Sequence, residues 1–266
     1  MTGPPAIRAP DRGGVIAFGL DLSGYSTGRS SFVAIESLGE RARAFSLKGS
    51  ALTGVRHGCD DAERTLSAEA AVLKTCLDIG HIAVDIPIDL QGLPAPPDAT
   101  FIWELTKRAV DEAFQALPPL ADRLGAPVAR FKAILRRGQL EEHVGTSILE
   151  TYPAGSLDLW GLRRRGYKGK GKQAECAELA RCLRLTGDQL DEDELDAVIC
   201  ALTAIEGNGL FGETLEDIVR KRNPFTEFSK RGSALPRGYA LAKRMPFDQI
   251  DFMEIDFSTW LTRLKS

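Results

Sequence analysis

The chain has 266 residues, of which 43% are hydrophobic and 27% are charged, so it has ample material for one large domain or two small ones. Its net charge of −3 gives no general attraction to nucleic acid, and any such binding must come from a local basic patch. No apolar run reaches the roughly 18 residues of a membrane span, and residues 1–14, rich in Pro and Gly, predict a flexible tail rather than a signal peptide. Five cysteines without paired short spacing favour a reducing cytoplasm.

The first third of the chain has the pattern of three consecutive strands, a helix and a further strand. The three strands are predicted at 15–22, 30–35 and 42–47. A helix at 60–79 carries apolar residues at helical spacing. The strand at 81–86 is almost continuously apolar, which is typical of a central parallel strand that follows a helix.

The rest of the chain is mainly helical. In chain order we predict a proline-rich loop at 91–98, a helix at 101–117, either a strand or a short helix at 129–135, a strand at 146–152, and helices at 154–162, 173–185, 191–206 and 210–222. Residues 223–266 show no single pattern. This order predicts an α/β fold, with a mixed sheet in which an antiparallel three-stranded meander is followed by parallel strands and is flanked by helices.

Acidic residues follow three of the predicted strands at the point where each strand ends: Asp21, Asp85 and Glu150. Strand-end carboxylates in α/β proteins face the crevice in which ligands bind. Each residue also has an ordinary structural alternative. Asp21 would open an Asx turn, Asp85 would cap the next loop, and Glu150 would lie on the surface paired with a Lys or Arg. Ser23, in the turn after the first strand, can offer a hydroxyl to a phosphate or to metal-bound water.

A pair of aspartates in the predicted helix at 191–206 is the strongest signal for chemistry. Asp193 and Asp196 are three residues apart, so both carboxylates lie on one face of the helix. Two like charges side by side repel each other, which is typical of a site for a divalent cation. The ordinary alternative is that acidic residues favour a helix N-terminus through the helix dipole, and it accounts for Asp193 better than for Asp196, which lies among apolar residues.

A basic segment follows the strand that ends at Glu150. It holds six cations in ten residues, which are Arg163, Arg164, Arg165, Lys168, Lys170 and Lys172. Its glycines predict a flexible loop, and such a loop would suit a phosphate backbone or a triphosphate. A solvated charged loop is the ordinary alternative.

Taken in order, these motifs resemble the RNase H-like superfamily, in which acids follow the first and fourth strands and lie on a late helix. The segments that carry the resemblance are Gly19-Leu20-Asp21, Val84-Asp85-Ile86-Pro87 and Asp193-x-x-Asp196-Ala197, the last of which is similar to a helix of the Holliday-junction resolvases. More closely, the chain resembles an uncharacterised family of predicted RNase H-like nucleases, since Glu150-Thr151-Tyr152-Pro153 and Tyr167-Lys168 also stand where that family has them. The resemblance spans about residues 15–207, which leaves 208–266 as an extension packed on the same domain.

This resemblance implies hydrolysis of phosphodiester bonds with two Mg²⁺ or Mn²⁺ ions held by carboxylates. Asp21 would bridge both ions, Asp85 would hold one, and Asp196 with Asp193 would hold the other. Glu150 would be a further ligand or would orient the attacking water. The basic segment would hold the scissile strand of a nucleic acid or a nucleotide.

Two alternatives remain open at this point. The same superfold hosts ATPases and sugar kinases that act on nucleotide phosphates, although these use two copies of the fold and this chain is too short for that. A hydrolase of nucleotide phosphates is one alternative to the nuclease. A non-catalytic module would bind a nucleotide or nucleic acid through the basic segment alone, without needing Asp21, Asp85 and Asp196 to converge.

Overall fold

The computed structural model describes residues 14–24, 30–54, 61–88, 108–116, 122–205, 209–210, 212–222 and 235–265. The proline-rich loop predicted at 91–98, all but the end of the tail at 1–14, and the first half of the helix predicted at 101–117 lie outside these residues. The strands are β1 (Ile16–Asp21), β2 (Ser31–Leu38), β3 (Arg41–Lys48), β4 (His81–Val84), β5 (Ile148–Glu150), β6 (Leu185–Gly187), β7 (Gly209–Leu210), β8 (Leu241–Ala242) and β9 (Gln249–Asp256). The helices are α1 (Ala62–Leu77), α2 (Ala109–Ala113), α3 (Asp122–Gly138), α4 (Pro153–Leu159), α5 (Gln173–Cys182), α6 (Glu192–Ala204), α7 (Glu213–Arg222) and α8 (Phe257–Lys265).

Seven strands form one mixed sheet in the order β5-β4-β1-β2-β3-β9-β6. The first three strands pair antiparallel as a meander, and β4 and β5 add to β1 in parallel. The predicted mixed sheet with a meander and parallel additions is therefore confirmed. A separate two-stranded ribbon is formed by β7 and β8.

Helices cover both faces of the sheet because alternate strand residues are apolar on each side. Phe18 and Leu20 of β1 pack with residues of α1, α3 and α8, among them Phe131 and Trp260. On the opposite face, Ala17 of β1 packs with α5 and α6. Each face therefore has its own buried core, and β1 lies at the centre of both.

Helix α6 lies directly against β1, and Gly19 makes this approach possible. A Cβ atom at Gly19 would lie 1.8 Å from the carbonyl oxygen of Ala197 and 2.3 Å from the amide nitrogen of Ala201. Such distances are sterically impossible, so only glycine fits at this point of the strand. The close contact fixes the height of α6 along β1.

The structure decides between the two alternatives at 129–135 and differs from the sequence prediction elsewhere. Of the helix predicted at 101–117, the described residues 108–116 are helical only over α2. Residues 129–135 belong to the long helix α3, whose apolar residues Val128, Phe131, Ile134 and Leu135 are buried at helical spacing. The helix predicted at 173–185 ends at Cys182, because Arg184 takes a positive φ of 58° and Leu185 begins β6. Residues 223–266, which showed no pattern, supply β9 to the main sheet and then α8.

Candidate metal centre

Three carboxylates converge at one edge of the sheet. Asp21 is the last residue of β1, and Asp85 directly follows β4, its parallel neighbour. The amide of Asp85 donates a hydrogen bond of 2.9 Å to the carbonyl of Leu20, which extends the ladder by one step. Asp196 comes from α6, and oxygens of the three side chains all lie within 4.8 Å of one another.

The N-terminus of α6 is held in place by a buried glutamate. Asp191 caps the helix and forms a capping box with Glu194. The Glu194 carboxylate also accepts hydrogen bonds of 2.6 Å from Ser46 Oγ and from Lys48 Nζ, both on β3. Together with the contact at Gly19, these bonds fix Asp196 opposite Asp21, and they explain why a buried acid on α6 has a stable position.

A lysine reaches into the carboxylate cluster. Lys168 Nζ pairs with Asp196 Oδ2, lies 3.4 Å from Asp21 Oδ2 and lies 3.7 Å from Asp193 Oδ1. The preceding residue, Tyr167, is buried and donates a hydrogen bond of 2.7 Å from its hydroxyl to Asp196 Oδ1. Both oxygens of Asp196 therefore have partners from one short loop segment, which reaches the site from between α4 and α5.

The surroundings of the cluster make ionisation of its acids unfavourable. Burial raises the pKa of Asp21 to about 7, although Lys168 opposes the rise; Asp196 and Asp193 add to it. Burial, and then the charges of Asp21 and Asp196, raise the pKa of Asp85 well above its usual range. Burial also raises the pKa of Asp196, against the hydrogen bonds and charge of Lys168 and the hydrogen bond of Tyr167. Such a cluster gains from a cation that neutralises it.

Asp193 lies one turn before Asp196, at the rim of the cluster. Its side chain is 28% exposed, and it pairs with Lys168 but lies outside the group of three convergent carboxylates. Burial raises its pKa. The ligand role predicted for Asp193 from its spacing on the helix therefore stays a prediction.

Glu150 ends β5 as predicted, but its carboxylate is engaged next to the cluster rather than in it. Oε1 pairs with the guanidinium of Arg108 at 2.7 Å, and Oε2 accepts a hydrogen bond of 2.8 Å from the amide of Ile88. Arg108 in turn pairs with Asp111 at 2.8 Å. From the sequence, an Arg or Lys partner for Glu150 was expected only in an ion pair on the surface. The observed pair is buried, since Glu150 and Arg108 are each 1% exposed.

Two residues with clear positions around the site were not identified from the sequence. Arg108 gave no local signal, since its sequence position lies inside the helix predicted at 101–117 and belongs to no motif. Arg130, on α3, donates to the carbonyl of Ser23 at 2.8 Å and pairs with buried Glu69 at 2.6 Å. Ser23 also has its hydroxyl 3.2 Å from that of Ser30. The turn that follows Asp21 is therefore clamped by a buried arginine.

The basic segment divides into bound and exposed side chains. Arg164 and Arg165 donate to the carbonyls of Phe114 and Gln115, at 3.2 and 3.0 Å. Lys172 pairs with Glu175 at 2.7 Å, and Arg163 and Lys170 are exposed. Of the six cations, Lys168 alone contacts the carboxylate cluster. Its ammonium therefore faces acids, whereas the sequence predicted that it would face a phosphate.

A cleft of about 530 Å³ opens beside the cluster. Its walls combine charged and aromatic groups with apolar ones, and they include Asp21, Asp85, Arg108, Glu150, Tyr152, Lys168 and Tyr239. The cleft is large enough for a nucleotide-sized ligand. Carboxylate oxygens and an aromatic side chain therefore face the same space.

Comparison with known protein families gives a match over most of the chain. A family model described as "Protein of unknown function (DUF429)" matches residues 19–215, which include every residue of the carboxylate cluster. No curated protein and no solved structure matches the chain. Among the described residues, no helix is both long enough and apolar enough to cross a membrane.

Proposed function

Because this chain belongs to the DUF429 family, whose function is unknown, we propose its activity from the site: divalent-metal-dependent hydrolysis of phosphodiester bonds by a nuclease of the RNase H-like kind. The observation that carries the proposal is the convergence of Asp21, Asp85 and Asp196 from β1, β4 and α6. Residues from three distant segments of the chain meet within the reach of one ion. Nothing in the folding of the sheet requires acids at all three positions, since each has a raised pKa and destabilises the fold when ionised.

The residues present fit a hard divalent cation. Carboxylate oxygens are the ligands that Mg²⁺ and Mn²⁺ prefer, and the ammonium of Lys168 already shows that this cluster attracts positive charge. The ion would be held by Asp21, Asp85 and Asp196, with Asp193 at the rim of the cluster. When bound, such an ion supplies an activated water at neutral pH and neutralises charge on the leaving oxygen.

The other residues of the site position these three acids. Tyr167 holds one oxygen of Asp196, so that the carboxylate keeps a fixed orientation. Glu150 accepts from the amide of Ile88, three residues after Asp85, and thereby fixes the strand-end loop that carries it. Arg130 does the same for the turn after Asp21 through the carbonyl of Ser23. In this proposal Glu150 acts on the reaction through Asp85, in place of its predicted role as a further ligand or as the group that orients the attacking water.

Substrate would lie in the cleft beside the cluster. Tyr152 offers an aromatic face for stacking on a base, and exposed Arg163 and Lys170 offer charges to a phosphate backbone that leaves the cleft. This arrangement supports a nucleic acid or nucleotide substrate, even though the net charge of the protein is negative.

The test is cleavage of labelled single-stranded, duplex and branched DNA and RNA with Mn²⁺. We expect Asp21→Asn and Asp196→Asn each to abolish cleavage while the circular dichroism spectrum is retained. Asp217→Asn is the matched control, since Asp217 is exposed on α7. Cleavage by Asp196→Asn at the wild-type rate would contradict the proposal.

A second candidate is hydrolysis of the phosphates of a small nucleotide. Two arginines of the basic segment already donate to the carbonyls of Phe114 and Gln115, which leaves less of this segment for a long polyanion. Release of phosphate from nucleoside triphosphates, without cleavage of any polynucleotide, would favour this candidate. A non-catalytic module would instead bind nucleotide equally well in wild type and in Asp21→Asn.

A further inference from the structure

Lys168 occupies a position at which its charge would compete with a metal ion. Its Nζ pairs with Asp196 Oδ2, lies 3.4 Å from Asp21 Oδ2 and contacts Asp193 at 3.7 Å. A single ammonium therefore contacts three carboxylates, two of which, Asp21 and Asp196, belong to the cluster. A divalent cation entering the same cluster would lie within a few ångströms of that ammonium and would repel it.

The backbone around Lys168 is anchored, but its side chain has access to solvent. Tyr167 is buried in the core with its hydroxyl on Asp196, and the amide of Gly169 donates to the carboxylate of Glu192 at 3.1 Å. The side chain of Lys168 is 42% exposed, and it lines the cleft beside the cluster. The ammonium can thus leave the carboxylates by rotation of side-chain torsions, with no change in the loop.

We propose that Lys168 is an internal counter-ion which holds the carboxylate cluster together without metal, and which metal binding releases into the cleft to bind a substrate phosphate. This inference rests on the proposed function, since it concerns regulation of the same site. It makes binding of metal and binding of phosphate cooperative, because one event frees the residue that the other needs. It also accounts for a lysine of the basic segment that faces acids.

The first test is calorimetric titration of Mn²⁺ into wild type, Lys168→Met, Lys168→Arg and Lys170→Met. Loss of the competing charge should tighten Mn²⁺ binding by about tenfold or more in Lys168→Met. Lys168→Arg keeps a cation and should stay close to wild type. Lys170→Met removes an equal charge from an exposed site two residues away and should also stay close to wild type. Equal Mn²⁺ affinity in Lys168→Met and wild type would overturn the inference, as would a lack of Mn²⁺ binding in both.

The second test uses inorganic phosphate as the probe, titrated with and without saturating Mn²⁺. We expect wild type to bind phosphate more tightly when Mn²⁺ is present, and Lys168→Met to lose most of this gain. The same gain in Lys168→Met would contradict release of the ammonium to phosphate. Neither test depends on cleavage. A protein that shows the Mn²⁺ and phosphate effects but cleaves no substrate would refute the proposed nuclease activity alone.

Discussion

Removal of one acid from the carboxylate cluster should stabilise the metal-free protein, and the size of the effect follows from Asp21. Its pKa of about 7 in the folded protein compares with an ordinary value of 3.8. Each pH unit between these values corresponds to about 1.36 kcal/mol, so ionised Asp21 destabilises the folded state by up to about 4 kcal/mol. The carboxylate is only 17% exposed, so solvent screens this effect weakly. Asp21→Asn, which cannot ionise, should recover about 2–4 kcal/mol at alkaline pH.

The sign of the pH dependence is fixed by the direction of the pKa change. Between pH 3.8 and about 7 the folded protein keeps a proton on Asp21 that the unfolded chain has released. The free energy of unfolding of wild type therefore falls as the pH rises through this window, relative to Asp21→Asn, and the difference levels off above it. Between pH 5 and pH 8.5 the advantage of Asp21→Asn should grow by about 2–3 kcal/mol.

Urea unfolding of both proteins in EDTA, at pH 5 and pH 8.5, measures this difference. Asp251→Asn is a control of opposite sign, since a hydrogen bond from Thr186 lowers the pKa of partly exposed Asp251. It should leave the protein slightly less stable at pH 8.5. If Asp21→Asn is no more stable than wild type at pH 8.5, or gains equally at both pH values, ionised Asp21 does not destabilise the folded state. Saturating Mn²⁺ should reverse the ranking, because only wild type binds the ion well.

Three further predictions test other parts of the site. The affinity for Mn²⁺, measured by calorimetry, should rise as the pH rises through about 7, since Asp21 and Asp85, both with raised pKa values, must lose their protons to bind the ion. An affinity that is flat from pH 5.5 to 8 would contradict a ligand role for these acids. Glu150→Ala should lower the free energy of unfolding by about 3–5 kcal/mol, because Arg108 would lose a buried partner. Glu150→Gln should lower it by less, since its side chain still accepts a hydrogen bond from the amide of Ile88. Urea unfolding measures both, and two variants as stable as wild type would contradict this prediction. Gly19→Ala should prevent α6 from packing on β1 and yield unfolded or insoluble protein. Gly125→Ala, whose Cβ meets no atom within 4 Å, is the control that should be tolerated. A wild-type Tm for Gly19→Ala would contradict the close contact between β1 and α6.

The convergence of Asp21 and Asp85 follows from local patterns combined with one topological rule. Both acids end apolar strands, and the carboxyl ends of parallel neighbours meet at one edge of a sheet. Asp196 could be predicted from the sequence for a similar reason. An acid among the apolar residues of a helix must lie in the interior and needs a partner. These signals are short-range, so a single sequence carries them.

The position of Lys168 shows what short-range patterns leave undetermined. A run of cations indicates the local composition, but it does not indicate which side chains turn inward. That choice is made by burial of Tyr167 in the core beside α6, which places the next residue over Asp196. The pairing of Glu150 with Arg108 depends in the same way on two segments more than 40 residues apart.

The strand β9 was missed for a related reason. It alternates buried Ile250 and Phe252 with polar residues, but it is surrounded by charges and follows a long segment without a pattern. Its pairing with β3 joins residues about 200 positions apart, which no local propensity reports. The three-residue strand β6 is defined almost entirely by its pairing with β9.

The position of β9 in the sheet affects how the chain folds while it is synthesised on the ribosome. All eight residues of β3 pair with β9, and β6 is joined to the sheet through β9. Until residues 249–256 emerge, the meander has an unpaired edge and β6 has no neighbour, so nascent chains expose a strand edge that can pair with other chains. The nascent protein should therefore depend on chaperones late in translation, and loss of β9 should lead to aggregation rather than to a smaller folded domain.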